Sequence, residues 1–223
     1  MNINLIFPNQ LFEKSTILEN SYTTFLIEEY LFFNQYKFHK QKILFHRDSM
    51  INYYSFLKNK GKNVKYINSF DNESDVRVFL KNTNVKEINI YNPVDNWLEK
   101  RIISSCLKEK IKINIHENPL FLTKKSELIP FFSPTKKKLF QTSFYKNQRI
   151  KFSVLLDNQN KPEGGKWTYD DLNRKKYPKN KQTPSIDYSF LKSKSHNDSL
   201  KYVSKYFSKN YGELNSSQLY PTD

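Results

Sequence analysis

The 223-residue chain carries 37 Lys and Arg against 22 Asp and Glu, which gives a formal net charge of +15. This length suits one α/β domain with an appendage, and it can bury a core without disulfides. The single cysteine, Cys106, excludes an internal disulfide framework and any multi-cysteine metal or iron–sulfur site built by this chain alone. We expect a cytoplasmic protein and no membrane partner, because the sequence shows neither a signal peptide nor a membrane-spanning segment.

The positive charge is concentrated in the second half of the chain. Residues 135–223 contain 18 Lys and Arg and 8 Asp and Glu. Such an excess favours a polyanionic partner, either nucleic acid or an anionic surface. A coding bias toward Lys and Asn would give the same composition, so the charge alone leaves the partner open.

Short β-type runs alternate with helical patterns through the first half. The predicted strands are residues 3–7, 24–28, 63–67, 87–91 and 111–116. The predicted helices are a weak one at 11–19 and stronger ones at 39–59, 75–81 and 96–108. This order predicts an α/β fold with a parallel, Rossmann-like or flavodoxin-like sheet, right-handed crossovers and flanking helices.

The second half has a different pattern. Its predicted elements are, in order, a long helix at 136–156, a turn-rich stretch at 157–165, an extended linker at 175–184 and a last helix at 198–209. We therefore divide the chain into an α/β domain, residues 1–134, and a basic helix with an interdomain linker, residues 135–223.

Polar side chains follow the first two predicted strands. Asn9 and Gln10 come after the first strand, at the edge where open α/β sheets bind ligands, and they offer donors and acceptors for the edge of a heterocycle. A turn whose amides bond to the backbone is the alternative. Glu28 and Glu29 end the second strand, where paired carboxylates serve acid–base chemistry or merely face solvent.

A basic stripe is predicted on the long helix. Lys136, Lys137 and Lys138 begin it, and Lys146 and Arg149 follow. Phe and Tyr residues lie between them, a pattern that fits contact with phosphates or an acidic neighbouring domain, with a solvated face as the alternative. The sequence shows no phosphate-binding loop, metal-ligand spacing or Ser/His/Asp signature, so we predict no catalytic residue and no metal ligand.

Five sequence strings, in order along nearly the whole chain, resemble one family. They are IFPNQLF (6–12), EEYLFFNQYKFHKQK (28–42), HENPLFLT (116–123), FY with QR (144–149), and KPEGGKW followed by YD and NRKK (161–176). Together they resemble the deoxyribodipyrimidine photolyase-related family, the prokaryotic iron–sulfur photolyases and cryptochromes.

The resemblance implies an antenna chromophore, 6,7-dimethyl-8-ribityllumazine, in the N-terminal α/β domain. It also implies a helical C-terminal domain that holds FAD and a four-cysteine [4Fe–4S] cluster. Members of the family repair photoproducts in DNA with blue light or act as photoreceptors. By resemblance this chain corresponds to the N-terminal part, so FAD, the cluster and contact with damaged DNA are expected of a C-terminal half, encoded by the same gene or on a separate chain. From this chain we expect light capture and no chemistry of its own.

The resemblance also implies site residues. The residues predicted to bind the chromophore are Pro8, Asn9, Gln10, Glu28, Glu29, Phe32, Asn34, Gln35 and His39. The residues predicted to contact nucleic acid or the helical domain are Lys136, Lys137, Lys138, Lys146, Arg149, Lys166, Trp167 and Arg174.

The chain departs from the family at two acidic positions. Where the family has Gly-Asp-Gln this chain has Pro8-Asn9-Gln10, and a carboxylate of some members aligns with Phe32. A basic module that binds nucleic acid or a protein without a chromophore is therefore the second hypothesis. A half-gene that retains no function is the third, and the consistent core pattern argues against it.

Overall fold

A computed structural model of the chain describes residues 1–169, 174–187, 193–214 and 220–222. Its five strands are β1 (Asn2–Ile6), β2 (Thr23–Ile27), β3 (Val64–Ile67), β4 (Glu87–Tyr91) and β5 (Lys112–His116). They form one sheet in the order β3-β2-β1-β4-β5, and all neighbours pair in parallel. The predicted Rossmann-like α/β fold is confirmed.

Helices connect and cover the strands. The α-helices among the described residues are α1 (Tyr30–Phe33), α2 (Lys40–Asn59), α3 (Val76–Asn82), α4 (Asn96–Lys108), α5 (Lys125–Leu128), α6 (Gln141–Lys151) and α7 (His196–Tyr206). The weak helix predicted at 11–19 is a single 3-10 turn, Thr16–Leu18. No helix in the described part of the chain combines the length and the apolar character needed to cross a membrane.

The sheet has a core on each face, because successive side chains of a strand point to opposite sides. One core packs α3 and α4 against the sheet through residues such as Phe79, Leu98 and Ile102. The other packs α2 and α7 against it through Ile43, Met50, Leu57, Val203 and Phe207. The apolar residues whose spacing predicted α2 and α4 are thus the residues that these helices bury against the sheet.

The strand order reverses at β1. From β1 the chain proceeds to β2 and β3 on one side, and then returns to place β4 and β5 on the other side. Loops that leave β1 and β4 therefore diverge, which leaves a crevice at their carboxyl ends. This crevice is the place where a ligand site is expected from topology.

Two compact units make up the chain. The sheet unit combines Met1–Leu120 with the described residues from Asp187 onward, and the second unit is Phe121–Ile186. The sequence predicts a division after residue 134, whereas the boundaries of the two compact units lie after Leu120 and before Asp187. The predicted last helix, observed as α7, belongs to the sheet unit.

The long helix predicted at 136–156 is wrong in both bounds, since α6 spans only Gln141–Lys151. Lys136, Lys137 and Lys138 lie in the irregular segment before it. After α6 the backbone takes left-handed conformations at Ser153 (φ 52°) and Leu155 (φ 52°), which end the helix.

Candidate functional site

The loop after β1 is fixed to the neighbouring strand and to α2. The Gln10 backbone N–H donates to the Phe7 carbonyl (2.9 Å), and its side-chain Nε2 donates to the Tyr91 carbonyl at the end of β4 (3.3 Å). From α2, the Tyr53 hydroxyl donates to the Phe12 carbonyl (2.8 Å). These bonds hold the loop at the point where the strand order reverses.

A cleft of about 590 Å³ opens beside this loop. Its lining residues come from the loop after β1, from one face of α2, and from two short segments: Pro8, Asn9, Leu11, Phe12, Glu13, Phe45, Ser49, Asn52, Tyr53, Phe56, Leu120, Pro221 and Thr222. Four aromatic rings and several aliphatic side chains form the walls, with amide and hydroxyl groups and the Glu13 carboxylate between them. This size and character are typical of a small-molecule site.

Two acceptors near the cleft lack a protein donor. Asn9 Oδ1 and Gln10 Oε1 are buried and make no hydrogen bond in the structure. A buried polar atom without a partner is costly, so such atoms usually bond to water or to a ligand. Because Asn9 also lines the cleft, an N–H or O–H group of a ligand is a suitable donor to it.

Glu28 lies on the α2 side of the sheet, fully buried. Its Oε1 accepts from Arg47 Nη1 (2.6 Å) and from the Tyr66 hydroxyl (2.6 Å), and its Oε2 accepts from the Ser69 backbone N–H (2.8 Å). The Arg47 guanidinium lies 3.4 Å from the ring centroid of Tyr202 on α7. Burial raises the pKa of Glu28, and the Arg47 guanidinium opposes that rise. Because Arg47 also packs on Tyr202, the Glu28–Arg47 pair connects α2 and α7 to the sheet.

Glu29, the next residue, lies on the other side of the sheet and is equally buried. Its Oε2 accepts from the Val76 backbone N–H (2.9 Å), and Arg101 Nη1 on α4 is 3.4 Å from its Oε1. Arg101 also donates to Gln35 Oε1 (2.7 Å). Burial raises the pKa of Glu29 to about 7. The two carboxylates therefore do not form an acid–base pair.

The remaining residues predicted for the chromophore have structural contacts elsewhere. Phe32 is partly buried against both cores. Asn34 Nδ2 donates to the Ser69 carbonyl (2.6 Å), and His39 caps α2 by accepting from the Gln41 backbone N–H at Nδ1 (3.1 Å). Of the nine predicted residues the structure places Pro8 and Asn9 on the cleft, with Gln10 in the same loop. It does not bring Glu28, Glu29, Phe32, Asn34, Gln35 or His39 to the cleft lining.

The cleft residues that sequence reasoning missed lie mostly on α2. Phe45, Ser49, Asn52 and Phe56 recur at spacings of four, three and four, which is one stripe of a helix. In the sequence that stripe is indistinguishable from a packed helix face. A mixture of aromatic and small polar residues at helical spacing is the signal that was available.

The basic residues of the second unit divide into two kinds. Arg149 is buried, and its guanidinium donates to the carbonyls of Val154 (3.2 Å), Leu155 and Trp167 (3.0 Å). Lys146 Nζ lies 5.8 Å from the Trp167 ring centroid. The exposed residues of the predicted set are Lys136, Lys137, Lys138, Lys166 and Arg174. Arg149 is therefore not part of an exposed basic stripe, since it holds the turn after α6.

Comparison with known proteins gives concordant results. The sequence pattern of the deoxyribodipyrimidine photo-lyase-related protein family matches residues 4–219. An uncharacterized protein, R852, of Acanthamoeba polyphaga mimivirus is 35% identical over 188 residues, which cover 79% of this chain and 95% of the viral protein. The chain therefore belongs to the deoxyribodipyrimidine photo-lyase-related protein family.

Proposed function

We propose that this protein is the antenna-type domain of a photolyase-like flavoprotein and that it binds a ribityl lumazine in the cleft beside the β1 loop. The observation that supports this most is the buried, unpartnered Asn9 Oδ1 on a cleft with aromatic walls. A flat heterocycle with N–H groups on its edge has the complementary chemistry.

The residues present fit such a group in size and polarity. Phe12, Phe45, Tyr53 and Phe56 offer rings for packing, and Asn9 offers an amide for the ring edge. No carboxylate among the predicted ligands faces the cleft, because Glu28 and Glu29 are engaged in the two buried networks. The carboxylate on the cleft is that of Glu13 in the β1 loop, so the ring edge would meet the Asn9 amide and, at the rim, the Glu13 carboxylate.

The role of this chain would be to bind and orient the chromophore and to exclude water from it. The lumazine would supply absorption of light. FAD and the [4Fe–4S] cluster belong, in this proposal, to a helical photolyase-type domain, which would receive the excitation and contact damaged DNA. Cys106, buried and with its pKa raised to about 11 by burial, offers no cluster ligand.

The experiment is a titration of the purified chain with 6,7-dimethyl-8-ribityllumazine, followed by absorption and fluorescence anisotropy. We expect one equivalent to bind, and Asn9→Ala to weaken binding about tenfold, as the loss of one buried hydrogen bond predicts. Asn82→Ala, at an exposed amide on α3, is the matched control. Absence of stoichiometric binding to the folded wild-type chain would exclude the antenna function.

A second candidate function is supported by the second unit. Among the described residues of Phe121–Ile186 only Arg149 is buried, and apolar side chains such as Leu122 (78% exposed) and Phe140 (67%) face solvent. The same segment contains 15 Lys and Arg and 5 Asp and Glu. Exposed apolar and basic groups together favour a binding surface. Affinity for DNA that falls steeply with salt, and falls less steeply in a Lys136/Lys137/Lys138→Gln variant, would support this candidate.

A further inference from the structure

Asp48 is a buried carboxylate in the middle of α2 that gathers donors from distant parts of the chain. Its Oδ1 accepts from the hydroxyls of Ser193 (3.0 Å), Ser195 and Ser199 (3.4 Å). Its Oδ2 accepts from Thr222 Oγ1 (2.7 Å). A carboxylate this deeply buried needs such donors, and here they come from the residues just before α7, from its first turn, and from residues 220–222.

Residues 220–222, which we name the strap, lie along the same stripe of α2. Asn52, one turn after Asp48, donates from Nδ2 to the carbonyl and to the hydroxyl of Thr222, both at 3.1 Å. The ring of Tyr220 meets that of Phe45 edge to face, with centroids 6.0 Å apart. The strap is thus held at three successive positions of one helix face.

The strap is also a wall of the cleft. Pro221 and Thr222 line the cleft together with Phe45 and Asn52. The hydrogen bonds that hold the strap on α2 therefore also fix one side of the cleft. Displacement of Thr222 from Asp48 would remove that wall while leaving the aromatic residues of α2 in place.

We propose that Asp48 is a positioning residue that holds the strap as a wall of the cleft, and that this wall limits the size of the ring system that enters. The identity of the ligand rests on the proposed function, whereas the holding of the strap does not. In the intact protein a two-ring lumazine is favoured over riboflavin, which carries the same ribityl chain on a three-ring system.

The test compares Thr222→Val with Thr222→Ser. Valine has the shape of threonine but lacks the hydroxyl that donates to Asp48 and accepts from Asn52, whereas serine keeps that hydroxyl. Ser55→Ala is the control on α2, since the Ser55 hydroxyl is exposed and bonds to the Ile51 carbonyl of its own helix. Asp48→Asn tests the other partner of the bond, and Thr222→Val keeps the test valid if Asp48→Asn does not fold.

Three readouts separate the steps. Nuclear Overhauser effects between the rings of Tyr220 and Phe45 report whether the strap is held. Uptake of the neutral dye N-phenyl-1-naphthylamine reports access to the cleft without reference to the natural ligand. The ratio of the dissociation constants for riboflavin and lumazine reports size selection, which a purely structural role of Asp48 would not change.

For Thr222→Val we expect loss of the Tyr220–Phe45 contacts, greater dye uptake, and a riboflavin-to-lumazine ratio of dissociation constants lowered by about tenfold. Thr222→Ser and Ser55→Ala should match the wild type. Unchanged Tyr220–Phe45 contacts, or a released strap with unchanged dye uptake and ratio, would overturn the inference. If neither compound binds any variant but dye uptake rises in Thr222→Val, the antenna function fails and the control of access by the strap stands.

Discussion

Glu28 and Glu29 are adjacent in the sequence, yet they act on opposite faces of the sheet. Side chains alternate at the end of β2, so Glu28 meets Arg47 on α2 and Glu29 meets Arg101 on α4. The sequence showed a pair of acids after a strand, and pairing was one interpretation. Because adjacent side chains of a strand point to opposite faces of the sheet, the interpretation as a pair was wrong.

Glu29 should make stability depend on pH. Its pKa is raised to about 7 by burial, so its contribution to the free energy of unfolding is fully present below about pH 4.5 and is lost as the pH rises through about 7. Glu29→Gln removes this dependence. We expect the difference in unfolding free energy, variant minus wild type, to rise by on the order of 3 kcal/mol between pH 4.5 and pH 8.

Urea denaturation at a series of pH values measures that difference. Glu19→Gln, at an exposed carboxyl of the sheet unit, is the control for removing a surface carboxyl group. A flat curve for Glu29→Gln would show that Glu29 is ionised in the folded protein at acidic pH.

His46 should titrate far below the ordinary range of histidine. It is largely buried beside the rings of Phe32, Phe33 and Phe45, with centroids 6.1 to 6.3 Å away. Burial, and secondarily Lys42, lowers its pKa to about 4. Its contribution to stability is therefore fully present above about pH 6.5 and is lost as the pH falls toward 4.

Two-dimensional NMR of the imidazole nitrogens checks this prediction directly. The spectrum of a His46→Gln variant assigns the signal. A His46 resonance that titrates near pH 6.5 would contradict the prediction and would mean that water reaches the ring.

A row of three asparagines and one threonine crosses the sheet from β2 to β5. Strand register aligns Thr24, Asn4, Asn89 and Asn114 on four adjacent strands. Asn4 Nδ2 donates to Thr24 Oγ1 (3.2 Å), Asn89 Nδ2 to Asn4 Oδ1 (3.2 Å), and Asn114 Nδ2 to Asn89 Oδ1 (3.0 Å). The Asn4 and Asn89 amides are thus each both donor and acceptor within the row, which specifies the register of β2, β1, β4 and β5.

Asn89 is the centre of this row. Asn89→Ala removes the bond from Asn114 and the bond to Asn4, while Asn114 keeps its bond to Glu87 and Asn4 Oδ1 keeps its bond from Asn20. The loss of one buried and one part-buried hydrogen bond predicts a decrease of about 1–3 kcal/mol in the free energy of unfolding. Urea denaturation at neutral pH measures it. Asn82→Ala, on the exposed end of α3, should change stability by less than about 0.5 kcal/mol. Equal effects of the two substitutions would mean that the row contributes nothing.

The sequence predicts the strands of the sheet well and the residues of the cleft in part. Strand runs are local patterns, and each predicted strand lies within one residue of the observed one at either end. Asn9 and Gln10 could be found because they directly follow a strand. Asn52 and Thr222 could not, because they meet across 170 positions of the chain and no local pattern records that contact. The C-terminal bound of α6 failed because Arg149 fixes the turn after it and also donates to the Trp167 carbonyl 18 residues along the chain, a contact that no local pattern records.

The division of the sheet unit into two stretches of chain has a consequence for how the fold tolerates change in length. Residues 121–186 join β5 to the segment whose α7 packs on α2, so in polymer terms they are a closure loop. The entropic cost of closing a flexible loop grows only with the logarithm of its length, by about 0.6 kcal/mol for each doubling. Insertions or deletions of tens of residues there would therefore change the stability of the sheet unit little, whereas loss of the α7 segment would uncover one of its two cores.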